Sequence, residues 1–427
     1  MTAVSRLIEP IDFRIDADVV VPGSKSITNR ALVCAALADG ESLLDGLLIA
    51  DDTEAMIAGL VKLGVGIEVD RAACRARVVG SAGRFQATDV RVDARLSGTT
   101  SRFLLAASAL SSGSVTIDGS APLRARPMID VVEPLRQLGA IVTTTDDRLP
   151  IQVTAARSFG SDVSVGGAAS SQFLSGLLMI GPCLARGLRI TVVGALRSGP
   201  YIDMTVEVMR RFGATVTVGP DRRSFVVAPG GYRGCRFSVE PDASAASYFF
   251  AAAASCGGRV AVDGLGTTSL QGDLRFVEVL RRMGAEVAMT SDRTEVVGSG
   301  NLVGVDVDMA EISDTAQTLA AVAPFASGPT TISGIGFTRR KETDRIGAVV
   351  TELTRCGVVA GELDDGLRVE PGVPHGARVE TYHDHRMAMS FALIGLRVPG
   401  IEILDPDCVA KTFPDYWTTL EQLRRTR

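Results

Sequence analysis

Cationic and hydroxyl side chains collect at the start of an apolar segment early in the chain. Residues 21–40, VPGSKSITNRALVCAALADG, carry apolar side chains at positions 27, 31, 32, 35 and 36, the spacing of one helix face. Ser24 or Ser26 can cap this helix, which places Lys25 near its first turn and Arg30 about one turn later. Unpaired backbone N–H groups and the helix dipole make such a start a site for anions. The spacing GxxxxGK[ST] is absent, which argues against nucleotide binding by a P-loop.

The same combination recurs at further predicted helix starts. Gly98 precedes an apolar helix in LSGTTSRFLLAASAL, where the missing Cβ lets a ligand approach the backbone. Arg126 stands directly before Pro127, and proline is favoured at the first helical position. Pro134 should kink the same helix. Two more starts carry hydroxyl and amide groups: Ser170, Ser171 and Gln172 in SSQFLSGLLMIGP, and Ser198 and Tyr201 in SGPYIDMTVEVMRRFG. Together these starts predict a surface that binds phosphate groups.

Charged residues concentrate in three short segments of the C-terminal half. In RRKETDRI, Glu342 and Arg345 are three residues apart, which predicts that they share a helix face beside Lys341. The other two segments are YHDHRMAMSFALIGL, with Asp384 as the predicted N-cap and Arg386 in the first turn, and CVAKTFPDYW, with Lys411 before a proline turn. Taken singly, each segment is also typical of a solvated charged surface.

Other chemistries find little support in the sequence. His383 and His385 flank Asp384 and could chelate a metal, but the chain has only three histidines. The GxSxG nucleophile elbow of hydrolases and the Rossmann GxGxxG fingerprint are both absent. The seven cysteines are odd in number and scattered, and they include no CxxC pair, which disfavours a disulfide framework and a structural zinc site.

One sequence pattern recurs along the chain. Five times, an amphipathic stretch ends in a glycine and is followed by a strand-like run, as in LVKLGVGIEV and LRRMGAEVAM. Each occurrence of this pattern predicts a helix that ends at a C′ glycine and is followed by a β-strand. The glycines are spaced by 71 to 75 residues, at positions 64, 139, 213, 284 and 357. This period predicts about six α/β units of roughly 72 residues each.

Composition places the chain among ordinary globular proteins. Its 427 residues are 46% hydrophobic and 22% charged, which fits two or three domains and excludes disorder as the main state. The net charge of −5 argues against general nucleic-acid binding, so an anionic substrate needs a local cluster of cations. The N-terminus lacks the apolar core of a signal peptide, and no apolar stretch reaches the roughly 18 residues of a membrane span.

The segments together resemble the 5-enolpyruvylshikimate-3-phosphate synthase family of enolpyruvyl transferases. The motifs PGSKSITNRAL, SGTTSRF, RPM, SSQFLSGLL, SGPYIDMT, EPDASAASYF, KETDRI, DHRMAMSFAL and AKTFPDYW occur in the order of that family, between about residues 20 and 417. The resemblance implies an α/β protein of two similar inverse α/β-barrel domains. Each domain would contain three βαβαββ repeats, with the active-site cleft between them. Domain 1 would span residues 23–239, and domain 2 would combine residues 1–22 with 240–427.

The resemblance also implies a role for individual residues. Asp314 would orient or deprotonate the acceptor hydroxyl, and Glu342 would protonate the methylene carbon with help from Lys25. The residues implied to bind shikimate 3-phosphate are Lys25, Ser26, Arg30, Ser170, Ser171, Gln172, Ser198, Tyr201, Asp314, Phe337 and Lys341. The residues implied to bind phosphoenolpyruvate are Lys25, Gly98, Arg126, Gln172, Arg345, Arg386 and Lys411.

The implied reaction moves the enolpyruvyl group of phosphoenolpyruvate to the 5-hydroxyl of shikimate 3-phosphate in aromatic amino acid biosynthesis. It requires no metal and no organic cofactor, and the expected enzyme is a cytoplasmic monomer that glyphosate inhibits. The two substrates bring roughly five to six negative charges. The seven implied cations, less Asp314 and Glu342, would supply five positive charges.

Two positions depart from the family pattern. Leu96 and Phe337 stand where many members have asparagine, and both lie next to implied ligand contacts. Two alternatives therefore stay open: transfer of the enolpyruvyl group to another alcohol, and a relative that binds an anionic metabolite without catalysis.

Overall fold

The chain folds into two compact units. The computed structural model describes residues 4–155, 158–167, 170–194, 196 and 198–424. Domain 1 is Gly23–Glu240, and domain 2 combines Met1–Pro22 with Pro241–Arg427. The sequence boundary between residues 239 and 240 lies one residue before this division.

The helices alternate with strands along the whole chain. The α-helices of the described residues are α1 Lys25–Leu37, α2 Asp51–Lys62, α3 Gly98–Ser108, α4 Ala121–Arg124, α5 Ile129–Gln137, α6 Ser171–Ile180, α7 Gly199–Arg211, α8 Ala243–Cys256, α9 Phe276–Arg282, α10 Ala316–Val322, α11 Arg345–Arg355, α12 His385–Gly395 and α13 Tyr416–Gln422. In this part of the chain, no helix is long and apolar enough to cross a bilayer.

The strands are short, mostly of two to six residues. Those of the N-terminal half are β1 Ser5–Ile8, β2 Ile15–Asp18, β3 Ala38–Asp39, β4 Glu41–Asp45, β5 Gly66–Asp70, β6 Arg75–Val79, β7 Val90–Asp93, β8 Ser114–Asp118, β9 Ile141–Thr145, β10 Arg148–Thr154, β11 Asp162–Gly166, β12 Leu188–Val193, β13 Val216–Val218, β14 Ser224–Val227, β15 Tyr232–Arg233 and β16 Arg236–Ser238. Those of the C-terminal half are β17 Gly258–Asp263, β18 Glu286–Met289, β19 Arg293–Gly298, β20 Asp306–Asp308, β21 Thr330–Ser333, β22 Ala360–Leu363, β23 Gly366–Val369, β24 Arg378–Val379 and β25 Ile401–Leu404.

Domain 1 repeats one sheet topology three times. Its four-stranded sheets have the orders β16-β4-β6-β5, β7-β8-β10-β9 and β11-β12-β14-β13. In each sheet the first two strands are parallel and the others pair antiparallel. A parallel pair needs a crossover helix, and a second helix leads to the closing hairpin, so each unit reads βαβαββ. The first unit takes its leading strand, β16, from the end of the domain.

Domain 2 follows the same plan. Two of its sheets have the four-stranded orders β2-β17-β19-β18 and β20-β21-β23-β22, while the third has three strands, β1-β25-β24. The N-terminal segment joins domain 2 through the pairing of Ile15 with Gly258. The predicted fold class, α/β with two domains built from βαβαββ repeats, is confirmed. The third unit of domain 2 differs, because its parallel pair β24 and β25 is completed by β1 from the N-terminal segment and not by a closing hairpin.

The two helices of each unit have different surroundings. The first helix is buried on nearly every side; in α3, for example, only Arg102 is not buried. The second helix, such as α7 or α11, has one buried face and one polar face. A helix that is apolar all round belongs in the core, where each large aliphatic side chain contributes about 1.5–3 kcal/mol. Its N-terminus is the end at which polar groups can gather.

The five repeat glycines end helices as predicted. They follow α2, α5, α7, α9 and α11, and each precedes a strand. Their φ angles are 95°, 93°, 90°, 104° and 81°, in the left-handed region that closes a helix. The repeated pattern therefore lies at the junction between the second helix of a unit and its hairpin.

Candidate functional site

Three cations converge on one carboxylate at the start of α10. Asp314 lies in the 3₁₀ turn Ser313–Thr315, directly before that helix. Its Oδ1 accepts from Lys341 Nζ at 2.5 Å and from Arg345 Nη1 at 3.2 Å. Its Oδ2 accepts from Arg386 Nη2 at 2.7 Å. Lys341 and Arg345 come from one segment and Arg386 comes from the start of α12, so tertiary packing builds this cluster.

The surroundings decide the charge of Asp314. Burial alone would raise the pKa of this carboxyl, but Arg386, Lys341 and Arg345 together outweigh burial and hold the pKa well below its usual 3.8. The group is therefore ionised at neutral pH. Burial lowers the pKa of Lys341, and the two arginines act in the same direction, whereas Asp314 opposes them.

Arg345 links Asp314 to two further carboxylates. Its side chain is 4% exposed. Its Nη2 donates to Glu342 Oε2 at 2.9 Å, and its Nε donates to Asp384 Oδ2 at 2.8 Å. Burial opposes its charge, but the three carboxylates raise the pKa of Arg345 above its usual value. Lys411 Nζ donates to the other oxygen of Glu342 at 2.8 Å, so Arg345 and Lys411 hold this carboxylate between them.

The charges of the domain 2 residues at this site nearly cancel. Among the described residues of domain 2, this ion-paired cluster joins Lys341, Arg345, Arg386 and Lys411 to Asp314, Glu342 and Asp384. These seven groups leave one net positive charge. Asp384 was predicted only as a helix cap, and its fully buried side chain is a third carboxylate that the sequence count omitted. Anionic substrates would add the counter-charge that the cations lack.

Helix capping fixes where the cations of this cluster lie. Asp384 caps α12 by accepting the backbone N–H of Arg386 at 2.9 Å, as predicted. Arg386 is thereby held in the first turn, where its Nη1 also donates to Tyr248 Oη at 3.4 Å. In the same way, Asp344 caps α11 through the backbone N–H of Ile346.

The predicted helix face shared by Glu342 and Arg345 is wrong. Because Asp344 caps α11, the helix begins at Arg345 and Glu342 lies in the bend before it. The two side chains do meet, but the bend brings them together and the i, i+3 spacing of a helix does not.

In domain 1, α1 starts as the sequence predicts. Ser24 is the N-cap and its Oγ accepts the backbone N–H of Ile27 at 3.5 Å. Lys25 is the first helical residue, and its Nζ lies 3.4 Å from Asp52 Oδ2. Asp52 is 3% exposed and was not singled out from the sequence, because acidic residues in the first turn of a helix such as α2 are common.

Arg30 is buried and tied to three helices. Its Nε donates to Thr205 Oγ1 at 2.7 Å, and its Nη1 donates to the carbonyl oxygen of Ser26 at 2.8 Å. Its Nη2 contacts Ser175 Oγ and the carbonyl oxygen of Tyr201, both at 3.2 Å. Burial lowers the pKa of Arg30 to about 10, so the group stays charged at neutral pH. These bonds hold Ser26 and Tyr201, two of the predicted binding residues, in one network.

Gly98 lies against two guanidinium groups. A Cβ added there would stand 3.2 Å from Arg126 Nη1 and 3.5 Å from Arg102 Nη1. Arg102 Nη1 donates to Gln172 Oε1 at 2.5 Å, and Gln172 Nε2 donates to Thr99 Oγ1 at 3.1 Å. The structure thus brings Gly98, Arg126 and Gln172 together as a group. Arg102 belongs to this group and was missed, because an arginine inside an apolar helix gives no local signal of a site.

The remaining helix starts of domain 1 agree only in part with prediction. Ser170 caps α6 by accepting the backbone N–H of Gln172 at 3.4 Å, and Ser171 is the first helical residue. Ser198 precedes α7 in the left-handed region, with φ of 55°, and Tyr201 lies in its first turn.

The assignment of Pro127 to the first position of a helix is wrong. α5 begins at Ile129, after Met128 in the N-cap position, and the short helix α4 ends at Arg124. Arg126 therefore lies in the connection between two helices. Pro134 is inside α5, as predicted.

The two histidines that flank Asp384 point to different partners. His383 Nδ1 lies 2.7 Å from Asp405 Oδ2, whereas His385 is buried with its Nδ1 3.6 Å from Asp384 Oδ1. No group of three or more potential metal ligands occurs in the part of the chain that the structure describes.

The two residues that depart from the family pattern, Leu96 and Phe337, lie in a turn and in a 3₁₀ helix. Leu96 is half-buried in the turn before α3. Phe337 lies in the 3₁₀ helix Gly336–Arg340, and Lys341 Nζ stands 5.4 Å from the centre of its ring.

The chain is similar to known proteins over nearly its whole length. Residues 11–420 match the family model of EPSP synthase (3-phosphoshikimate 1-carboxyvinyltransferase). The chain is 46% identical to a 3-phosphoshikimate 1-carboxyvinyltransferase of Nostoc punctiforme, over 96% of each chain. It is 42% identical to the protein of that name from Shewanella denitrificans, over 97% of this chain and 98% of the other.

Solved structures extend the comparison to the fold. The EPSP synthase of Acinetobacter baumannii superposes with a TM-score of 0.83 at 26% identity, over 98% of this chain and 97% of the other. The enolpyruvyl transferase NikO from Streptomyces tendae has a TM-score of 0.76 at 20% identity, over 97% and 96% of the two chains, and shares the fold.

Proposed function

Because the chain belongs to the EPSP synthase family, we propose that it transfers the enolpyruvyl group of phosphoenolpyruvate to the 5-hydroxyl of shikimate 3-phosphate and releases phosphate. The observation that carries the proposal is the position of Asp314, an ionised carboxylate held by three cations. A group that accepts a proton must be ionised beforehand, and its neighbours must favour anionic substrates. Asp314 meets both conditions.

Asp314 is proposed to act as the base once the substrates bind. With three cations around it, Asp314 has a pKa well below 3.8, which makes it a weak base. Phosphate and carboxylate groups on Lys341, Arg345 and Arg386 would draw these cations away from Asp314. Its pKa would then rise toward the range in which a carboxylate accepts a proton from a hydroxyl.

The proposed chemistry balances as an addition followed by an elimination. The 5-hydroxyl oxygen bonds to C2 of phosphoenolpyruvate and gives its proton to Asp314, while C3 gains a proton from Glu342. The new methyl group then returns one proton to Glu342. The C–O bond to phosphate breaks, the vinyl group re-forms, and the phosphate takes the proton from Asp314. Both carboxyl groups return to their starting states.

Glu342 must carry a proton for the first step. Arg345 and Lys411 now favour its ionised form, since both donate to it within 2.9 Å. We infer that anionic groups of phosphoenolpyruvate engage these two cations and leave Glu342 free to hold a proton. Arg386 completes the set of domain 2 cations proposed for this substrate. Arginine suits bidentate contacts with carboxylate and phosphate, and lysine serves as a point charge.

The groups gathered in domain 1 are proposed to bind the remaining anionic and polar parts of the substrates. Lys25, Gly98, Arg126 and Gln172 are assigned to phosphoenolpyruvate. The hydroxyl groups at three helix starts are assigned to shikimate 3-phosphate: Ser26, Ser170, Ser171, Ser198 and Tyr201. The backbone N–H groups of a helix start add to this binding, because the first ones have no intrahelical partner and point outward along the helix axis.

Phosphate release from phosphoenolpyruvate tests the proposal. Release is measured with shikimate 3-phosphate, with shikimate lacking the phosphate, and with no acceptor. We expect fast release only with shikimate 3-phosphate, and a loss of about 10²- to 10⁴-fold in kcat for Asp314→Asn. Release that is independent of the acceptor, or no release with the full substrate pair, would contradict the proposal.

A further inference from the structure

A turn of unusual conformation precedes α12. Asp384 N donates to the carbonyl oxygen of Thr381 at 2.8 Å and closes a four-residue turn. Its two central residues, Tyr382 and His383, have φ angles of 54° and 56°. Turns with two positive φ angles normally use glycine, asparagine or aspartate there. Non-glycine residues are strained in this region, so surrounding contacts must hold the turn in place.

Glu352 holds the turn from one side. It lies on α11 and is completely buried. Its Oε1 accepts from Tyr382 Oη at 2.7 Å, and its Oε2 accepts from the backbone N–H of Glu380 at 3.0 Å. Arg355 Nε, from the next turn of the helix, lies 3.1 Å from Oε2. A buried carboxylate is retained only when such donors compensate for its lost hydration. Burial raises the pKa of Tyr382 to about 12, so its hydroxyl remains a donor.

A second contact holds the turn from the other side. His383 Nδ1 lies 2.7 Å from Asp405 Oδ2. Asp405 immediately precedes the 3₁₀ helix Pro406–Lys411, whose last residue contacts Glu342. The turn therefore joins the segment that carries Lys411 to the segment that carries Arg386.

The turn determines where two groups of the charged cluster lie. Asp384 is its last residue, and Arg386 follows two residues later. Asp384 Oδ2 accepts from Arg345 Nε at 2.8 Å, and Arg386 Nη2 donates to Asp314 Oδ2 at 2.7 Å. Arg345 and Glu352 are seven residues apart on α11, about 10 Å along its axis. Helix α11 thus contacts the segment before α12 at two points, one at Asp384 and one at the turn.

We propose that Glu352 and Tyr382 are positioning residues, which keep Asp384 and Arg386 in place against Arg345 and Asp314. They touch neither substrate nor the reacting atoms in the proposed function, and they act through the turn. If their contact is lost, the turn can relax toward negative φ angles, and this relaxation would swing the start of α12. The expected loss is in the use of phosphoenolpyruvate, because Arg386 is assigned to that substrate. This part of the inference rests on the proposed function.

Tyr382→Phe tests the inference, since it removes one hydroxyl and keeps the ring. Tyr232→Phe in domain 1 is the matched control: its buried Oη also donates a 2.7 Å bond, to the carbonyl oxygen of Met179. Both variants remove one hydroxyl that donates a 2.7 Å hydrogen bond, so both should lose stability. Only Tyr382→Phe should lower kcat/KM for phosphoenolpyruvate, by about tenfold. The affinity for shikimate 3-phosphate alone, measured by calorimetry, should change less than twofold.

A second readout does not depend on activity. Hydrogen exchange of the backbone amides at the start of α12 should speed up in Tyr382→Phe and in Glu352→Gln, but not in Tyr232→Phe. Unchanged exchange at these amides would overturn the inference. So would unchanged kinetics of Tyr382→Phe in a parent enzyme that is active. A parent enzyme without phosphate release, combined with faster exchange in the variants, would overturn the proposed function and support the positioning role.

Discussion

Replacing Asp314 by asparagine keeps the shape of the side chain and removes its charge. The cations that it contacts at 2.5, 2.7 and 3.2 Å then lose their shared counter-charge. Removing one partner of a buried ion pair costs about 3–5 kcal/mol. The side chain of Asp314 is 18% exposed, so we expect the lower end of that range, about 3 kcal/mol.

Calorimetric unfolding measures this loss. A loss of about 3 kcal/mol lowers the Tm of a domain of this size by about 6–12 °C. Asp18→Asn in the same domain is the matched control, because Asp18 contacts Arg259 at 2.7 Å and Arg293 at 3.0 Å but is 58% exposed. Its loss should stay below about 1 kcal/mol, as for other exposed ion pairs. Equal changes in Tm for the two variants would refute the reasoning.

The pH dependence of the same difference has a definite sign. The folded-state pKa of Asp314 lies well below 3.8. Its ionised form therefore stabilises the folded protein at pH values above the unfolded-state pKa, and this contribution is lost as the pH falls through the folded-state pKa. The gap in stability between the parent and Asp314→Asn should stay constant from pH 7 to about 5 and narrow below about pH 4. A gap that narrows between pH 7 and 5 would contradict the assignment.

Two further predictions concern glycines. A Cβ in Gly98→Ala would stand 3.2 Å from Arg126 Nη1. We expect it to raise the inhibition constant of glyphosate more than the KM of phosphoenolpyruvate, because glyphosate is the longer of the two ligands and needs the space. Equal increases in steady-state kinetics would contradict this steric account. Gly64→Ala and Gly258→Ala both place alanine where the backbone has a positive φ angle. A Cβ at residue 64 would meet open space, whereas a Cβ at residue 258 would overlap the backbone of Ile15 in the neighbouring strand. Chemical denaturation should show a loss of about 1–2 kcal/mol for Gly64→Ala and at least about 3 kcal/mol for Gly258→Ala, and equal losses would argue against the overlap.

Local signals in the sequence were enough to predict the recurring elements. The C′ glycines mark the end of the second helix in five units, because a left-handed residue is needed there whatever surrounds it. The capping roles of Ser24, Ser170 and Asp384 were also predictable, since a cap bonds to its own helix. Pro127 shows the limit of such signals: proline suits the first position of a helix, but it also suits the connection in which it lies.

The parts of the cluster that were missed depend on packing between distant segments. Asp384 is 39 residues from Arg345, and its role as a cap already accounted for its presence in the sequence. Asp52 and Glu352 were not noticed for a similar reason, since acidic residues on helices are common. Their burial identifies them, and burial follows only from the tertiary fold. The bend that brings Glu342 to Arg345 likewise depends on where Asp344 starts α11.

The most direct test of the central claim is the identity of the product formed from the two substrates in heavy water. The account predicts a vinyl ether on the 5-oxygen of shikimate 3-phosphate, one equivalent of phosphate, and deuterium in the vinyl methylene, because C3 gains and loses a proton. Proton and phosphorus NMR of one reaction mixture report all three, with Asp314→Asn as the inactive control. Unchanged shikimate 3-phosphate beside pyruvate and phosphate would contradict the account, and so would a vinyl ether on another oxygen.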